Sequence, residues 1–290
     1  QALNQKKMEG IVFKEDLDRL DYSTPEFTKQ MVDEGYTILA PQMAREHFRI
    51  LAPVFHHYGM NIEFLDSVND KVLDQGLKYV NNDSCYPSIT VVGQFMEAVN
   101  SGRYDTDKLA IVMTQTGGAC RASNYVGYIR KGLRDAGYPN IPVIALSAQG
   151  IETNAGFDLR KPSTIPFLKR GFRAIIFGDL INRVANATRP YEIEKGVTDN
   201  LKEAWIQRLQ SEAPTMSDRQ YKRCVKEVVE DFDNIPIKDI KLPKAGIVGE
   251  ILVKFLPEAN NNLQKVLEAE GAEVILPDLT DFFMYCMKNS

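Results

Sequence analysis

Short apolar runs alternate with longer amphipathic runs from residue 36 to residue 148, and this alternation constrains the fold more than any other feature. The apolar runs predict four buried strands, over 36–41, 61–66, 108–116 and 141–148. The runs between them have apolar residues at helical spacing. They predict helices over 42–59, 85–102 and 120–137. This order predicts an α/β fold, with an open parallel sheet covered by helices on both faces in a Rossmann-like arrangement.

The pattern changes along the chain and predicts four parts. They are an N-terminal extension (1–35), a first α/β domain (36–150), a helical segment (151–241) and a partial second α/β domain (242–290). In the last part the alternation restarts for only two strands, too few for an independent sheet. The chain begins without methionine and ends just after "DFFMYCMKNS", within a helical pattern. We therefore expect it to be a piece of a longer polypeptide.

Composition indicates an ordinary globular protein, with 44% hydrophobic and 26% charged residues. The net charge of −4 gives no reason to expect nucleic acid, whose protein partners tend to be basic. No run approaches the roughly 18 apolar residues of a membrane span. The N-terminal segment lacks the apolar centre of a signal peptide, so a cytoplasmic location is expected, where thiols stay reduced and the four cysteines form no disulfide framework.

Common catalytic motifs are missing from the sequence. The chain has no G-x-x-x-x-G-K-[ST] loop for nucleotide phosphates, no G-x-G-x-x-G fingerprint, no H-E-x-x-H pair and no G-x-S-x-G elbow. His47, His56 and His57 share one predicted helix without neighbouring metal ligands. Histidines in such a setting are mostly structural or solvated, so we expect no chemistry from them.

Two cysteines lie in polar turns directly before predicted helices, Cys85 in "NNDSCYP" and Cys120 in "TQTGGACRASNY". A thiol at a helix N-terminus faces free N–H groups and the positive end of the helix dipole, which lowers its pKa and favours thiolate. Arg121 adds positive charge. Cys120 also follows the carboxyl end of a predicted parallel strand, where open α/β sheets build their sites. Thiolate is the form that binds metal or attacks an electrophile.

The alternative for both cysteines is that they are small buried hydrophobic residues, the usual fate of a free cysteine. Their spacing is not that of a zinc knuckle or a ferredoxin run, and it suits two loops at one edge of a sheet. Cys224 and Cys286 lie within predicted amphipathic helices, and we interpret them as packing residues.

Seven runs within residues 36 to 283 carry a family resemblance. They are "YVNNDSCYP", "GQFMEAVNSGRYD", "TQTGGACRASNYVGYIRKGL", "PVIALSAQG", "GDL", "RPYE" and "GIVGEILVKFLPEANNNL". In these runs the chain resembles the 2-hydroxyglutaryl-CoA dehydratase-like proteins, and more narrowly the large cytosolic forms described as CoA-substrate-specific enzyme activase-related proteins.

The resemblance implies an iron–sulfur protein. Members of this family hold a 4Fe-4S cluster with cysteines on loops of α/β domains, and a separate or fused ATP-dependent activator supplies a low-potential electron. In the dehydratases that electron makes a ketyl radical of a 2-hydroxyacyl-CoA, from which water is lost. Close relatives carry a double-cubane cluster and reduce small molecules instead. The expected partners are therefore the activator and an acyl-CoA, with neither nucleic acid nor membrane.

Carried over to this chain, the resemblance assigns Cys85 and Cys120 as cluster ligands. A cubane needs three or four ligands, and neither Cys224 nor Cys286 lies in a comparable turn. The third ligand is expected in a C-terminal portion missing from this chain or in a partner subunit, so the chain alone can be isolated without its cluster. Two thiolates on one cubane should have sulfur atoms about 6–7 Å apart, or up to about 10 Å without the cluster.

Gly117 and Gly118 are further cofactor-binding candidates. Without side chains they let the backbone approach a bulky cluster, and their N–H groups could bond its sulfides. The alternative is a plain strand–helix turn.

Arg121, Glu250 and Asn261 are candidates for the lining of a substrate cleft. For Asn261 a capping role is the alternative, and for Glu250 a solvated position. Arg189 and Glu192 of "RPYE" are expected to form an interdomain ion pair rather than bind substrate.

Three functions remain open. The first is the iron–sulfur component of a dehydratase-like or reductase-like system. The second is a thiol enzyme without a cluster, with Cys85 or Cys120 as nucleophile. The third is a non-catalytic scaffold that brings the activator to its target.

Overall fold

The computed structural model describes residues 23–66, 68–115, 124–146, 154–157 and 164–288. Its strands are β1 (Thr37–Ala40), β2 (Ile62–Phe64), β3 (Leu109–Thr114), β4 (Val143–Leu146), β5 (Lys244–Gly246) and β6 (Glu273–Ile275). Its helices are α1 (Lys29–Asp33), α2 (Arg45–His57), α3 (Asp70–Tyr79), α4 (Tyr86–Asn100), α5 (Tyr125–Asp135), α6 (Ile165–Thr188), α7 (Val197–Glu212), α8 (Asp218–Asp233), α9 (Ile251–Phe255), α10 (Leu263–Ala269) and α11 (Leu279–Lys288).

The first four strands form one parallel sheet in the order β2-β1-β3-β4. The chain thus places β2 on one side of β1, and β3 and β4 on the other. The order reverses between β1 and β3, which makes their carboxyl ends the switch point of the sheet. The sheet confirms the prediction of an α/β fold with at least four parallel strands.

Both faces of this sheet are buried. Ile38, Ala110 and Ile144 belong to one core, whereas their strand neighbours Leu39 and Ile111 belong to the other. Successive residues of a strand point to opposite faces, so a strand that is apolar throughout can fill two cores. The first core is completed by α2, α6, α7 and α8, and the second by α3, α4 and α5. Helices therefore cover both faces, as predicted.

The second, smaller sheet consists of β5 and β6, which pair in parallel. Leu252, Leu256 and Ala259, which follow β5, are buried in the same core as one face of the larger sheet. Helices α6, α7 and α8 likewise share the other core of that sheet. The later segments thus contribute to the packing of the first sheet. The predicted division into domains stays a prediction.

Helix α3 was not among the predicted elements. It begins after Asn69, whose side-chain oxygen accepts a hydrogen bond from the amide of Val72 at 3.1 Å. It buries Val72, Gly76 and Tyr79, a face with a glycine at its centre. Its apolar residues lie on one face, but an isolated helix of 10 residues that contains a glycine is marginal in water, so its stability comes from packing against α4.

Candidate functional site

Cys85 is the N-cap residue of α4, directly before Tyr86. Its thiol is exposed, and Sγ lies 3.0 Å from Oγ of Ser88, three residues into the helix turn. The carbonyl oxygen of Cys85 accepts a hydrogen bond from the amide of Ser88 at 2.9 Å. The sequence prediction of a cysteine at a helix start is thus confirmed for Cys85, and its thiol is accessible to solvent.

Gln94 establishes where α4 lies relative to the larger sheet. Its side-chain oxygen accepts from the amide of Gln42 at 2.7 Å, and its side-chain nitrogen donates to the carbonyl of Gln42 at 3.1 Å. Gln42 follows the carboxyl end of β1 by two residues. Helix α4 precedes β3 in the chain and ends near the amino end of that strand. It therefore runs from the carboxyl edge of the sheet towards the amino edge, and its first residues lie nearest the carboxyl edge. Cys85, about 13 Å before Gln94 along the helix axis, therefore lies beyond the carboxyl edge of the sheet.

Two glycines allow the helix that carries Cys85 to pack closely against α3. A Cβ atom on Gly93 would lie 2.1 Å from the carbonyl oxygen of Val72, and one on Gly76 would lie 2.1 Å from that of Ile89. Real Cβ atoms do not approach a carbonyl oxygen so closely, so both positions require glycine. The backbone contact of α3 with α4 orients the turn in which Cys85 lies.

A polar cleft of about 320 Å³ opens beside the same helix pair, at the carboxyl end of β2. Its lining residues are Glu63, Leu65, Asp66, Asn69, Val72, Gln94, Glu97, Arg103 and Tyr104. The Tyr104 hydroxyl donates to Glu63, and Arg103 donates to Glu97 at 2.6 Å. Burial, together with the hydrogen bond to Glu63, raises the pKa of Tyr104. Three carboxylates against one guanidinium make this cleft acidic, which disfavours the phosphates of an acyl-CoA.

Four of the predicted site residues, Cys120, Gly117, Gly118 and Arg121, lie outside the described residues. The separation of the two sulfur atoms and their shared edge therefore stay predictions.

The other two cysteines were interpreted as packing residues. Cys224 is buried in α8, where burial and the nearby carboxylate of Glu212 raise the pKa of its thiol. A buried thiol of this kind serves packing, as predicted. The side chain of Cys286 lies outside the described residues.

The two remaining cleft candidates, Glu250 and Asn261, lie at helix starts. The Glu250 carboxylate accepts hydrogen bonds from the amides of Leu252 at 2.9 Å and Val253 at 3.4 Å, so it caps α9. Asn261 is exposed in a left-handed turn with φ 57°, before α10. Neither residue lines the acidic cleft at β2. A role for them in substrate binding stays a prediction.

The capping bond at the start of α10 comes from a residue that the sequence reasoning did not select. The side-chain oxygen of Asn260 accepts from the amide of Leu263 at 3.0 Å, and its nitrogen donates to the carbonyl of Val253 at 2.8 Å. The run "NNN" offered three equivalent candidates, and only the conformation of the turn distinguishes them.

Arg189 and Glu192 make different contacts from the pair that was expected. Arg189 donates to Asp199 at 2.8 Å and to Glu268 of α10 at 2.9 Å. Glu192 is buried and accepts from the amides of Gly196 and Thr198 at the start of α7. Arg189 therefore connects the end of α6 to the second sheet segment, whereas Glu192 caps a helix.

His47 and Asp179 form a buried pair that sequence reasoning missed. His47, expected to be structural, is fully buried, and its Nε2 lies 2.8 Å from Oδ1 of Asp179. Asp179 belongs to the "GDL" run, and the preceding Gly178 lies against the imidazole. The available signal was an aspartate inside the apolar stretch "AIIFGDLI" of α6, since a buried carboxylate requires partners.

A cluster would need more ligands than the described residues bring together. Among them there is no group of three or more His, Cys, Asp or Glu side chains arranged to hold a metal ion. They supply one accessible cysteine sulfur, that of Cys85, whereas a cubane needs three or four ligands. The described part of the chain is therefore not a complete cluster site by itself.

Comparisons with known proteins give no relative from which a role could be transferred. No family model matches the chain. No curated protein and no solved structure matches it either. Among the helices that the structure describes, none has both the length and the apolar character needed to cross a membrane.

Proposed function

We propose that the chain is the iron–sulfur component of a 2-hydroxyacyl-CoA dehydratase-like or related reductase system, which receives low-potential electrons from an ATP-dependent activator. The observation that carries the proposal is the exposed thiol of Cys85 at the start of α4, beyond the carboxyl edge of a parallel sheet. Open α/β sheets bind their ligands at that edge. The resemblance of the seven sequence runs supplies the identity of the cluster.

In this proposal Cys85 and Cys120 are two ligands of a 4Fe-4S or double-cubane cluster. In this proposal the remaining ligands come from outside this chain, for example from a partner subunit. The first sheet is proposed to be the centre of a Rossmann-like domain, and the switch between β1 and β3 supports this. A cytoplasmic location, where thiols are reduced, is part of the same proposal.

The acidic cleft at β2 does not support acyl-CoA binding at that position. Glu63, Asp66 and Glu97 would repel the phosphates of coenzyme A.

Anaerobic purification tests the proposal. After reconstitution with iron, sulfide and an external thiol that can occupy the missing ligand positions, the wild-type chain should hold both iron and sulfide, and dithionite should produce an electron-resonance signal. A Cys85→Ala/Cys120→Ala variant should lose them, whereas Cys224→Ala, which removes a buried thiol of α8, should keep them. Equal iron in the wild type and the double variant would contradict the ligand assignment.

The same samples separate the two alternative functions. A wild-type chain without iron whose Cys85 is alkylated unusually fast at neutral pH would favour a thiol enzyme. A chain with neither property that still binds the activator would favour a scaffold.

A further inference from the structure

The first half of α6 exposes an apolar stripe to solvent. Ile165, Leu168 and Phe172 are spaced by three and four positions, so their side chains lie together on one side of the helix. Between 41% and 62% of the surface of each residue is exposed. Phe167 lies on the other side of the helix and is buried in the first core. A contiguous apolar patch, unlike single scattered residues, marks a contact surface, and we call this one the α6 stripe.

Positive charge flanks the α6 stripe. Lys169 donates a hydrogen bond to Asp218 at 2.8 Å, and Arg173 donates to the same carboxylate at 2.8 Å. Arg170 donates to the hydroxyl group of Tyr58. Two cations therefore share one carboxylate, and the third is paired with a hydroxyl group. The flank keeps an excess of positive charge, which favours an acidic partner.

A segment of this chain outside the described residues has the complementary pattern. Residues 11–21 read "IVFKEDLDRLD", and we call them the acidic segment. Phe13, Leu17 and Leu20 are spaced by four and three positions, which is the spacing of an amphipathic helix. The segment has four acidic residues and two basic ones. It thus matches the α6 stripe in apolar spacing and is opposite to it in charge.

The described chain begins at the same edge of the larger sheet as the α6 stripe. Thr24 accepts a hydrogen bond from the amide of Val143 at 3.3 Å, which places it at the amino end of β4. The rings of Phe55 and Phe167 lie 4.9 Å apart. Phe55 is two residues before the end of α2, which leads into the amino end of β2, so the start of α6 lies at this amino edge too. Phe27 and Phe167 are also buried in the same core.

The acidic segment is long enough to reach the α6 stripe. An extended chain spans about 3.5 Å per residue, so Leu20 lies within about 14 Å of Thr24, and each earlier residue can lie farther away. The sheet has four strands, and neighbouring strands lie about 4.8 Å apart. The segment can therefore reach a helix that packs over this edge.

We propose that the acidic segment docks on the α6 stripe with its apolar side, and that its carboxylates face the positive flank. Docking removes from water an apolar surface that α6 otherwise exposes, and this burial drives it. The α6 stripe begins at the amino edge of the sheet, whereas Cys85 lies beyond the carboxyl edge. The inference is therefore independent of the proposed function.

Carbodiimide cross-linking of the full chain tests the docking, because this reagent joins a lysine to a carboxylate only where the two groups touch. Peptide mass spectrometry should find Lys169 joined to a carboxylate of the acidic segment. Lys169 also pairs with Asp218, so the Lys169–Asp218 product is an internal control for a folded α6. A mixture of unlabelled and heavy-isotope-labelled chains distinguishes cross-links within one chain from cross-links between two copies.

Three variants test the apolar contact. In Leu17→Ser the yield of the cross-link from Lys169 to the acidic segment should fall about tenfold, because an apolar side chain is lost from the interface. Leu168→Ser should lower the yield similarly from the side of α6, with the Lys169–Asp218 product unchanged. Ile11→Ser is the matched control, since Ile11 lies off the apolar side of the helical spacing, and it should keep the wild-type yield.

A wild-type chain that gives the Lys169–Asp218 product without any cross-link to the acidic segment would overturn the inference. Products that join labelled to unlabelled chains would also overturn it, because they would assign the α6 stripe to a second copy of the chain. Equal yields in the wild type and Leu17→Ser would indicate contact through charge alone, which contradicts docking through the apolar side chains.

Discussion

Nε2 of His47 lies 2.8 Å from Oδ1 of Asp179, and both side chains are buried although 132 positions separate them. The same carboxylate accepts hydrogen bonds from the amides of Leu279 at 2.7 Å and Thr280 at 2.9 Å. Burial by itself raises the pKa of Asp179, but the hydrogen bond and charge of His47 and the two amides hold it below its ordinary value. Asp179 thus joins α2, α6 and the start of α11.

Replacing Asp179 by alanine should lower the free energy of unfolding by about 3–5 kcal/mol, because it leaves buried donors without an acceptor. Urea unfolding followed by fluorescence of Trp205, the single tryptophan of the chain, measures this. The control is Asp233→Ala, an exposed position at the end of α8, where the change should stay within about 0.5 kcal/mol. Similar losses for both variants would contradict the role of Asp179.

Gly178→Ala should disturb the contact of α6 with α2. The added Cβ would lie 2.4 Å from Cδ2 and 2.6 Å from Cγ of His47, and the fully buried ring has no room to move away. We expect a loss of about 1–3 kcal/mol in urea unfolding. Gly127→Ala in α5 is the control, since nothing lies within 4 Å of its Cβ, and it should be neutral or stabilising by up to about 1 kcal/mol. Two equal losses would refute the steric explanation.

Gly93→Ala should weaken the packing of α4 against α3, because its Cβ would lie 2.1 Å from the carbonyl oxygen of Val72. This carbonyl belongs to the backbone of α3, so it cannot move away from the added methyl group as the end of a flexible side chain could. Hydrogen exchange measured by mass spectrometry should show lost protection in peptides from 70–100, with less change in α6 to α8. Uniform loss across the chain would argue against a local effect.

Acid should destabilise the contact of α2 with α7 through Glu46, which pairs with Lys202 at 2.8 Å. Burial raises the pKa of Glu46, but the charge and hydrogen bond of Lys202 outweigh it and hold the pKa at about 2, below the ordinary 4.5. Because the pKa of Glu46 is lower in the folded protein than in the unfolded chain, the ionised carboxylate stabilises the fold at pH values above about 4.5. This stabilisation is lost as the pH falls from about 4.5 towards 2. Protonation should therefore remove about 2 kcal/mol over that range.

Urea unfolding at several pH values between 5 and 2 checks this expectation. The Glu46→Gln variant should show a shallower loss of stability with acid than the wild type. Glu194→Gln, an exposed position, should keep the wild-type slope. A wild-type slope in Glu46→Gln would mean that this pair does not contribute to acid sensitivity.

The first sheet was predictable because each of its strands can be recognised from a short run of neighbouring residues. Each is a short apolar run, and runs of this kind are apolar throughout only when both faces are covered, as Leu39 and Ala40 show by belonging to opposite cores. The helix start at Cys85 was predictable for a similar reason, since a polar turn followed by proline is a local signal. The short helix α3 was missed because its stability depends on contact with α4.

The alternation of apolar and amphipathic runs by itself determined that this chain forms a parallel sheet covered by helices, because backbone periodicity follows from neighbouring residues. Only the tertiary structure decided which side chains meet. It paired His47 with Asp179, gave Arg189 the partner Glu268, and placed the buried hydroxyl of Ser88 behind the sulfur of Cys85. The physical reason is that these contacts depend on how helices cross and how turns close, and such geometry is a property of the packed chain rather than of a short sequence window.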